Sequence, residues 1–210
     1  MTITVGTIAD QILARAQGAR RFITAIAGPP GAGKSTLSEA LLEELARRGE
    51  RAAILPMDGF HMDNGILEER GLLKRKGVPE SFDVRGFLDI VQAVRRADEE
   101  VLVPVFDRDR ELSIGSARAI ALETRIILAE GNYLLLNEAP WTRLAPLFDF
   151  TMLVGPPYAV LEERLRARWE HYKLSEEEIR WKLYGNDLPN GERILNGSRP
   201  ADLRIDLFER

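Results

Sequence analysis

A glycine-rich segment that ends in Lys-Ser-Thr has the residue types and spacing that point most directly to chemistry. Residues 28–36 fit the phosphate-binding pattern G-x-x-x-x-G-K-[ST]. Glycines let backbone N–H groups surround an anion, and the start of a following helix adds partial positive charge. In this pattern the lysine neutralises the β- and γ-phosphates, and the hydroxyl residue after it can bind Mg²⁺. The predicted nucleotide-binding residues here are Gly28, Pro29, Gly31, Ala32, Gly33, Lys34, Ser35 and Thr36.

The segments on either side have the composition that such a loop requires. Residues 22–27 are apolar and rich in β-branched side chains, which predicts a buried strand. Residues 34–48 carry Leu37, Leu41 and Leu45 at a spacing of four, which places these leucines on one face of a helix. Strand, loop and helix in this order predict that the chain binds a nucleoside triphosphate. The alternative is a glycine-rich turn that binds nothing.

Acidic residues follow three of the predicted strands. Alternating strands and helices predict an α/β fold with a parallel, doubly wound sheet, in which ligands bind at the carboxyl ends of the strands. The acids that we expect at this edge are Asp58 after residues 52–56, Asp107 after residues 101–106, and Glu130 after residues 125–129.

Asp58 and Glu130 have different predicted roles. A phosphoryl acceptor needs a carboxylate that orients its hydroxyl and takes the proton, and Asp58 is the candidate; the alternative is an aspartate that only caps the turn before Gly59. Glu130 is expected to support Mg²⁺ through water. Its alternatives are to position an attacking water, as in a simple NTPase, or to be a solvated strand end.

Arginines and histidines supply the remaining candidates. Arg164 and Arg168 are four residues apart on a predicted helix, so both can face the triphosphate and stabilise the transferred charge. The alternative is a solvated helix face on which these arginines pair with neighbouring glutamates. His61 and His171 are the two histidines of the chain, and neither has a second His or Cys at ligand spacing. We therefore expect both histidines to make polar contacts rather than to bind a metal.

The rest of the sequence predicts one domain over residues 1–210. Helical periodicity and apolar runs predict further helices over 7–17, 66–73, 84–97, 140–147, 158–171 and 175–184, and further strands over 150–154 and 201–207. Ser175 followed by Glu178 predicts a capping box at the last of these helices.

Composition narrows the class of protein. The 210-residue chain has a formal net charge of −4, which gives no support for nucleic-acid binding. It contains no cysteine, which excludes disulfides and thiol catalysis. No apolar run approaches the ~20 residues of a membrane span, and residues 1–16 lack the pattern of a signal peptide. We expect a folded, soluble, cytoplasmic protein.

Several segments beyond the loop resemble the phosphoribulokinase/uridine kinase family of P-loop kinases, which includes the bacterial pantothenate kinases. Residues 57–61, Met-Asp-Gly-Phe-His, are similar to its Asp-x-Phe strand end, and residues 128–132 to its magnesium-side strand end. Residues 69–83 are close to the pantothenate kinase segment that borders the acceptor pocket. Residues 186–189 resemble an Asn-x-x-Pro segment near the adenine. The resemblance covers nearly the whole chain.

The resemblance implies a P-loop NTPase-type, three-layer fold with a short helical lid, and it implies ATP and Mg²⁺ as cofactors. The catalytic residues that it implies are Asp58 as the base, Lys34, and the lid arginines Arg164 and Arg168. Ser35 and Glu130 are implied on the metal side, and Asn186 at the nucleotide. The implied substrate residues are Asp58, His61, Lys76, Asp83 and Arg108.

Two differences from the pantothenate kinases bear on which acceptor the protein phosphorylates. Arg108 stands where pantothenate kinases often have a histidine, and residues 169–173 form a lid without their longer insertion. A compact pocket with an Asp and an Arg suits a small polyol. We predict a kinase acting on a sugar hydroxyl, as in the small fructose or sugar kinases of this family. A nucleoside or pantothenate acceptor, a nucleotide-switch NTPase and a catalytically idle nucleotide-binding subunit are the alternatives.

The partner expected is a small molecule, with no nucleic acid or membrane, and homodimerisation is left open.

Overall fold

A five-stranded parallel sheet organises the computed structural model, which describes residues 2–209. The helices, in chain order, are α1 (Val5–Arg15), α2 (Lys34–Arg47), α3 (Asn64–Glu69), α4 (Val84–Arg96), α5 (Tyr158–His171), α6 (Glu176–Trp181) and α7 (Leu188–Gly197). The strands are β1 (Thr2–Thr4), β2 (Phe22–Ala27), β3 (Ala52–Pro56), β4 (Val101–Asp107), β5 (Leu112–Ile120), β6 (Ile126–Gly131), β7 (Phe150–Val154), β8 (Leu203–Ile205) and β9 (Leu207–Glu209).

The main sheet has the order β3-β6-β2-β7-β8, and each of its neighbouring pairs is parallel. Strand β2 lies in the middle, and all six of its residues are buried, as the apolar run predicts for a strand covered on both faces. The carboxyl ends of β2, β3 and β6 therefore meet at one edge of the sheet. Within residues 2–209, none of the helices combines the length and apolar character needed to cross a bilayer.

Two hydrophobic cores lie on opposite faces of this sheet, which confirms the predicted three-layer α/β fold. One core joins α4 and β4 to the sheet through side chains such as Phe87 and Val103. The other joins α1 and α2 to the sheet through side chains such as Ile12 and Leu41. The leucines predicted on one face of α2 are all fully buried, because that face packs on the sheet.

The predicted strand over residues 101–106 exists, but its expected place in the parallel sheet is wrong. Strand β4 pairs with β5 as an antiparallel hairpin that is separate from the main sheet. Most residues of β5 are exposed, so this strand lacks the apolar pattern that would have predicted it. Asp107 lies in the hairpin turn, where its Oδ1 accepts hydrogen bonds from the backbone N–H groups of Asp109 and Arg110, each at 3.0 Å.

Three predicted helices differ in extent or type. The short helix expected over 66–73 lies at α3, and residues 141–147 form a 3₁₀ helix rather than an α-helix. The helix expected over 175–184 is shorter because a π-helical segment, Lys182–Asp187, follows α6 and leads into α7. The capping box is present: Ser175 and Glu178 exchange hydrogen bonds at the start of α6.

Gly59 holds the turn after β3 against the hairpin, and we expect Gly59→Ala to lower the free energy of unfolding by about 1–3 kcal/mol. A methyl group there would lie 2.3 Å from the backbone oxygen of Pro104, which cannot move aside as a flexible side chain would. Denaturant unfolding of Gly115→Ala gives the matched control, because nothing lies within 4 Å of that position in the same hairpin. Equal stability of the two variants would contradict this close packing.

Candidate active site

A cavity of ≈ 1200 Å³ opens at the carboxyl edge of the sheet. The phosphate loop, the turns after β3 and β6, the β4–β5 hairpin and the helices α5 and α7 with the π-helical segment all contribute to its wall. The sequence-predicted residues that line it are Gly31, Ala32, Gly33, Lys34, Ser35, Thr36, Asp58, His61, Lys76, Arg108, Glu130, Arg164, Arg168 and Asn186. The structure therefore brings together residues up to 155 positions apart, since Gly31 and Asn186 line the same cavity.

The phosphate loop depends on glycine at two positions that face the cavity. Gly31 and Gly33 have φ values of 76° and 92°, in the left-handed region that glycine adopts without strain. Gly28 and Pro29 do not line the cavity but build the loop behind it. The backbone oxygen of Pro29 accepts a hydrogen bond of 3.0 Å from Lys34 Nζ, which fixes the lysine across the loop.

Lys34 is only 7% exposed, and its charge is matched by acids at the neighbouring strand ends. Burial lowers the pKa of the Lys34 ammonium, and the negative charges of Glu130 and Asp58 oppose that shift. A buried cation held between two carboxylates is well placed to meet an anion that enters the loop.

Ser35 and Glu130 form a pair of oxygen ligands beside Lys34. The Ser35 hydroxyl donates a hydrogen bond of 3.1 Å to Glu130 Oε2. Burial raises the pKa of the Glu130 carboxyl, and the positive charge of Lys34 acts against this shift. Within residues 2–209, no group of three or more His, Asp or Glu residues has the arrangement of a metal site. A cation at Ser35 would need most of its ligands from phosphate or water.

Asp58 lies in the 3₁₀ turn that continues from β3, and it lines the same cavity as the loop. Its Oδ2 accepts a hydrogen bond of 2.6 Å from Arg108 Nη2 in the hairpin. Burial acts to raise the pKa of the Asp58 carboxyl, but the positive charges of Arg108 and Lys34 outweigh it and hold the pKa below its usual value. Asp58 is thus ionised at neutral pH and has one oxygen that Arg108 does not occupy.

His61 forms part of the wall next to Asp58. Its Nδ1 lies 2.8 Å from the backbone oxygen of Asp58, so this nitrogen is assigned the proton. The ring lies between those of Phe82 and Phe106, with centroid distances of 4.1 and 4.7 Å. Burial lowers the pKa of the imidazole, so His61 is neutral and its Nε2 remains an acceptor. The polar-contact expectation fits this geometry better than a metal ligand does.

Helix α5 places two arginines over the loop, as their spacing predicts. Arg164 Nη1 donates to the backbone oxygens of Gly31 and Ala32, at 3.4 and 3.2 Å. Burial and the charge of Arg108 lower the pKa of the Arg168 guanidinium, which also lines the cavity. Arg166 instead points outward, where its Nη1 pairs with Glu176 at 2.9 Å.

The other predicted substrate and nucleotide residues divide into two groups. Lys76 lines the cavity, where Nζ donates to Asn64 Oδ1 and to the backbone oxygen of Glu111. Asn186 is buried at the cavity wall, and its Nδ2 donates to the backbone oxygen of Lys76. Asp83 does not line the cavity: its Oδ1 accepts the Gly86 N–H at 2.9 Å and caps α4. The structure gives no support for a substrate contact from Asp83.

Sequence reasoning missed two parts of the cavity wall. Asp187 is buried, and burial raises the pKa of its carboxyl, which accepts a hydrogen bond of 2.8 Å from Trp169 Nε1. Its position directly after Asn186 could have indicated it. Phe208 in β9 lies beside Gly33, and no local pattern in the last residues predicts that contact.

Comparisons with known proteins agree with this geometry. The sequence profile described as "Methylmalonyl Co-A mutase-associated GTPase MeaB" matches residues 4–85, which include the phosphate loop. A candidate uridine kinase of Schizosaccharomyces pombe is 32% identical over 185 residues, which cover 81% of this chain and 77% of that protein. The pantothenate kinase of Leifsonia xyli is 37% identical over 144 residues, or 67% of this chain, but the match spans only 44% of that enzyme.

A solved structure matches almost the full length. The crystal structure of a candidate fructose transport system kinase from Silicibacter sp. TM1040 has a TM-score of 0.90 and 40% sequence identity. The match covers 96% of this chain and 98% of that one.

Proposed function

Because the chain belongs to the P-loop kinases of the phosphoribulokinase and uridine kinase type, we propose that it uses ATP and Mg²⁺ to phosphorylate a hydroxyl group of a sugar. That the protein is a nucleotide-binding, small-molecule kinase follows from its family. The observation that carries the further proposal is the position of Asp58, an ionised carboxylate in the same cavity as the phosphate loop. A kinase needs such a carboxylate next to the acceptor hydroxyl.

The residues of the loop and lid bind and orient the triphosphate in this proposal. Backbone N–H groups at Gly31 to Ser35 surround the phosphates, and Lys34 neutralises the β- and γ-phosphates. Arg168 adds a second positive charge from the lid, at the place where charge develops on the transferred group. Arg164 holds the lid to the loop through the carbonyls of Gly31 and Ala32.

Asp58 orients the acceptor hydroxyl and takes its proton. The hydroxyl oxygen forms a bond to the γ-phosphorus while the bond from that phosphorus to the bridging oxygen breaks, and ADP leaves. The proton passes to Asp58 and then to solvent. Holding both reactants in one cavity turns a bimolecular encounter into a step within one complex.

The oxygen pair of Ser35 and Glu130 fits a hard divalent cation such as Mg²⁺. Ser35 would bind it directly, and Glu130 would hold one of its waters. Held by these two residues, such a cation would supply positive charge that offsets the negative charge of the triphosphate. The raised pKa of Glu130, caused by burial, would return toward its usual value beside that positive charge.

A sugar is supported by the size and polarity of the acceptor end. The lid passes from α5 to α6 through the four residues 172–175, without a longer insertion. Asp58, Arg108 and His61 offer directional hydrogen bonds to hydroxyl groups. The Silicibacter protein is described as a kinase of a fructose transport system, which fits the same substrate class.

A nucleotide-switch NTPase is the second candidate, and the GTPase profile that matches residues 4–85 favours it. Such a protein would hydrolyse the triphosphate without any acceptor. We would measure ADP release with Mg²⁺ across sugars, nucleosides and pantothenate, with a blank that contains no acceptor. If the protein is a kinase, we expect one class of acceptor to stimulate ADP release well above the blank. Equal ADP release in every reaction would reject the kinase proposal.

Glu130→Gln is expected to raise the Mg²⁺ concentration for half-maximal activity by about tenfold or more, because partners that orient metal ligands contribute about 10- to 100-fold to metal affinity. The amide keeps the shape but removes the negative charge that holds the metal's water. Activity should be titrated with Mg²⁺ at fixed ATP. Glu123→Gln, outside the cavity, is the control for the loss of one carboxylate. An unchanged Mg²⁺ titration would exclude the metal-side role of Glu130.

A further inference from the structure

The acceptor end of the cavity contains a guanidinium that is only partly neutralised. Arg108 Nη2 donates a hydrogen bond of 2.6 Å to Asp58 Oδ2. Within residues 2–209, this contact is the one ion pair and the one hydrogen bond of the Arg108 side chain. Arg108 has five N–H donors, so most of them have no protein acceptor. Its side chain is 45% exposed and lines the cavity. These free donors lie directly beside the carboxylate that is proposed to hold the acceptor hydroxyl.

Two other cations of the cavity wall have partners that the reaction does not use. Lys76 Nζ lies 3.5 Å from Glu111 Oε2 and also donates to Asn64. Arg164 donates to carbonyl oxygens of the loop. Arg108 differs because its partner is the proposed base itself.

Proton transfer therefore creates a charge imbalance at Arg108. When Asp58 takes the proton from the hydroxyl it becomes neutral, and the guanidinium loses its counter-charge in a partly buried site. Leaving a charge unpaired in such a site is costly. An acceptor that carries its own negative charge beside the hydroxyl would remove this cost.

We propose that Arg108 binds an anionic group of the acceptor, a carboxylate or a phosphate adjacent to the hydroxyl that is phosphorylated. This inference rests on the proposed kinase function and narrows the substrate to sugar acids or phosphorylated sugars. A guanidinium forms two parallel hydrogen bonds with either group, which also fixes the orientation of the hydroxyl. The rings of His61 and Phe106, which contact each other, line the same cavity and can contact the carbon skeleton.

Binding of the anion also prepares the base. In the free protein, Arg108 is the charge that contributes most to lowering the pKa of the Asp58 carboxyl. An anion that shares the guanidinium weakens this effect, so Asp58 becomes a better proton acceptor only when the acceptor is in place. This coupling would disfavour hydrolysis of ATP in the absence of an acceptor.

The test compares matched acceptors of different charge in the ADP-release assay with the full chain. Fructose, gluconate and fructose 6-phosphate form one set, and glycerol, glycerate and glycerol phosphate form another. We expect the anionic members to exceed the neutral member in kcat/KM by at least about tenfold, and the carboxylate and phosphate arms identify which anion is bound. The Arg108→Gln variant should reduce this preference by about 10- to 100-fold, mainly through KM.

Arg110→Gln is the matched control, because Arg110 is in the same turn but pairs with Asp107 and does not line the cavity. It should leave the preference unchanged. A neutral acceptor that is used as well as the anionic ones would overturn the inference while leaving the kinase intact. The inference would also be overturned if Arg108→Gln lowered kcat/KM by the same factor for neutral and anionic acceptors. No stimulation by any acceptor would instead reject the proposed function.

Discussion

Replacing Asp58 with asparagine is expected to reduce turnover by about 10²–10⁴-fold, the usual contribution of a general base. The amide can still accept a hydrogen bond from the hydroxyl, but it cannot take the proton. Nucleotide affinity should not fall, because Asp58 belongs to the turn after β3 rather than to the loop, and its replacement takes one negative charge away from the triphosphate site. Single-turnover rates and ATP titrations of the same preparation separate these two effects.

Asp107→Asn is the control for this change, since it removes one carboxylate from the hairpin turn outside the cavity. It should retain activity. The pH profile gives a second readout, because positive neighbours hold the pKa of Asp58 below the ordinary value of about 3.9. A base must be ionised, so activity controlled by Asp58 is expected to fall only below that pH. Full turnover in Asp58→Asn would reject the base assignment.

Replacing Lys34 with alanine is expected to weaken triphosphate binding and to lower kcat by about 10²–10³-fold. Its ammonium lies beside Glu130 and Asp58, whose charges it balances. Without it, an incoming triphosphate would face two carboxylates with less positive charge to offset them. Calorimetric titration with ATP and steady-state assays would measure both losses.

Two further variants make the Lys34 result specific. Lys34→Met keeps much of the buried aliphatic volume, so a similar loss in both variants assigns the effect to charge rather than to packing. Lys74→Ala removes an exposed lysine that does not line the cavity, and it should bind ATP normally. Unchanged ATP affinity in Lys34→Ala would count against the phosphate loop as the binding site.

Apolar runs predicted three strands to the residue, whereas β6 begins one residue later and ends two residues further along than the apolar run 125–129. Strands β2, β3 and β7 have the bounds expected from the sequence, and α5 does as well. Their side chains are buried or half-buried in the main sheet, so hydrophobic patterning alone defines them. Strand β5 was missed because it is largely exposed and is stabilised by pairing with β4.

The sequence by itself determined the nucleotide end of the site. A phosphate loop is encoded locally: glycines permit its backbone, and the lysine and serine that follow sit on the first turn of α2. The same holds for Asp58, two residues after β3, and for Glu130, the penultimate residue of β6, because the carboxyl ends of these strands must meet in a parallel sheet.

Only the tertiary structure decided the acceptor end. Arg108 meets Asp58 across 50 residues because the β4–β5 hairpin folds over the turn after β3, where Gly59 allows close approach. Asp83 was expected at the substrate and Asp107 at the binding edge of the sheet, but neither lines the cavity. The Asp83 carboxylate caps α4, and the Asp107 carboxylate accepts hydrogen bonds within the hairpin turn. Side chains of the same type have different roles because long-range packing, which local sequence does not encode, selects their partners.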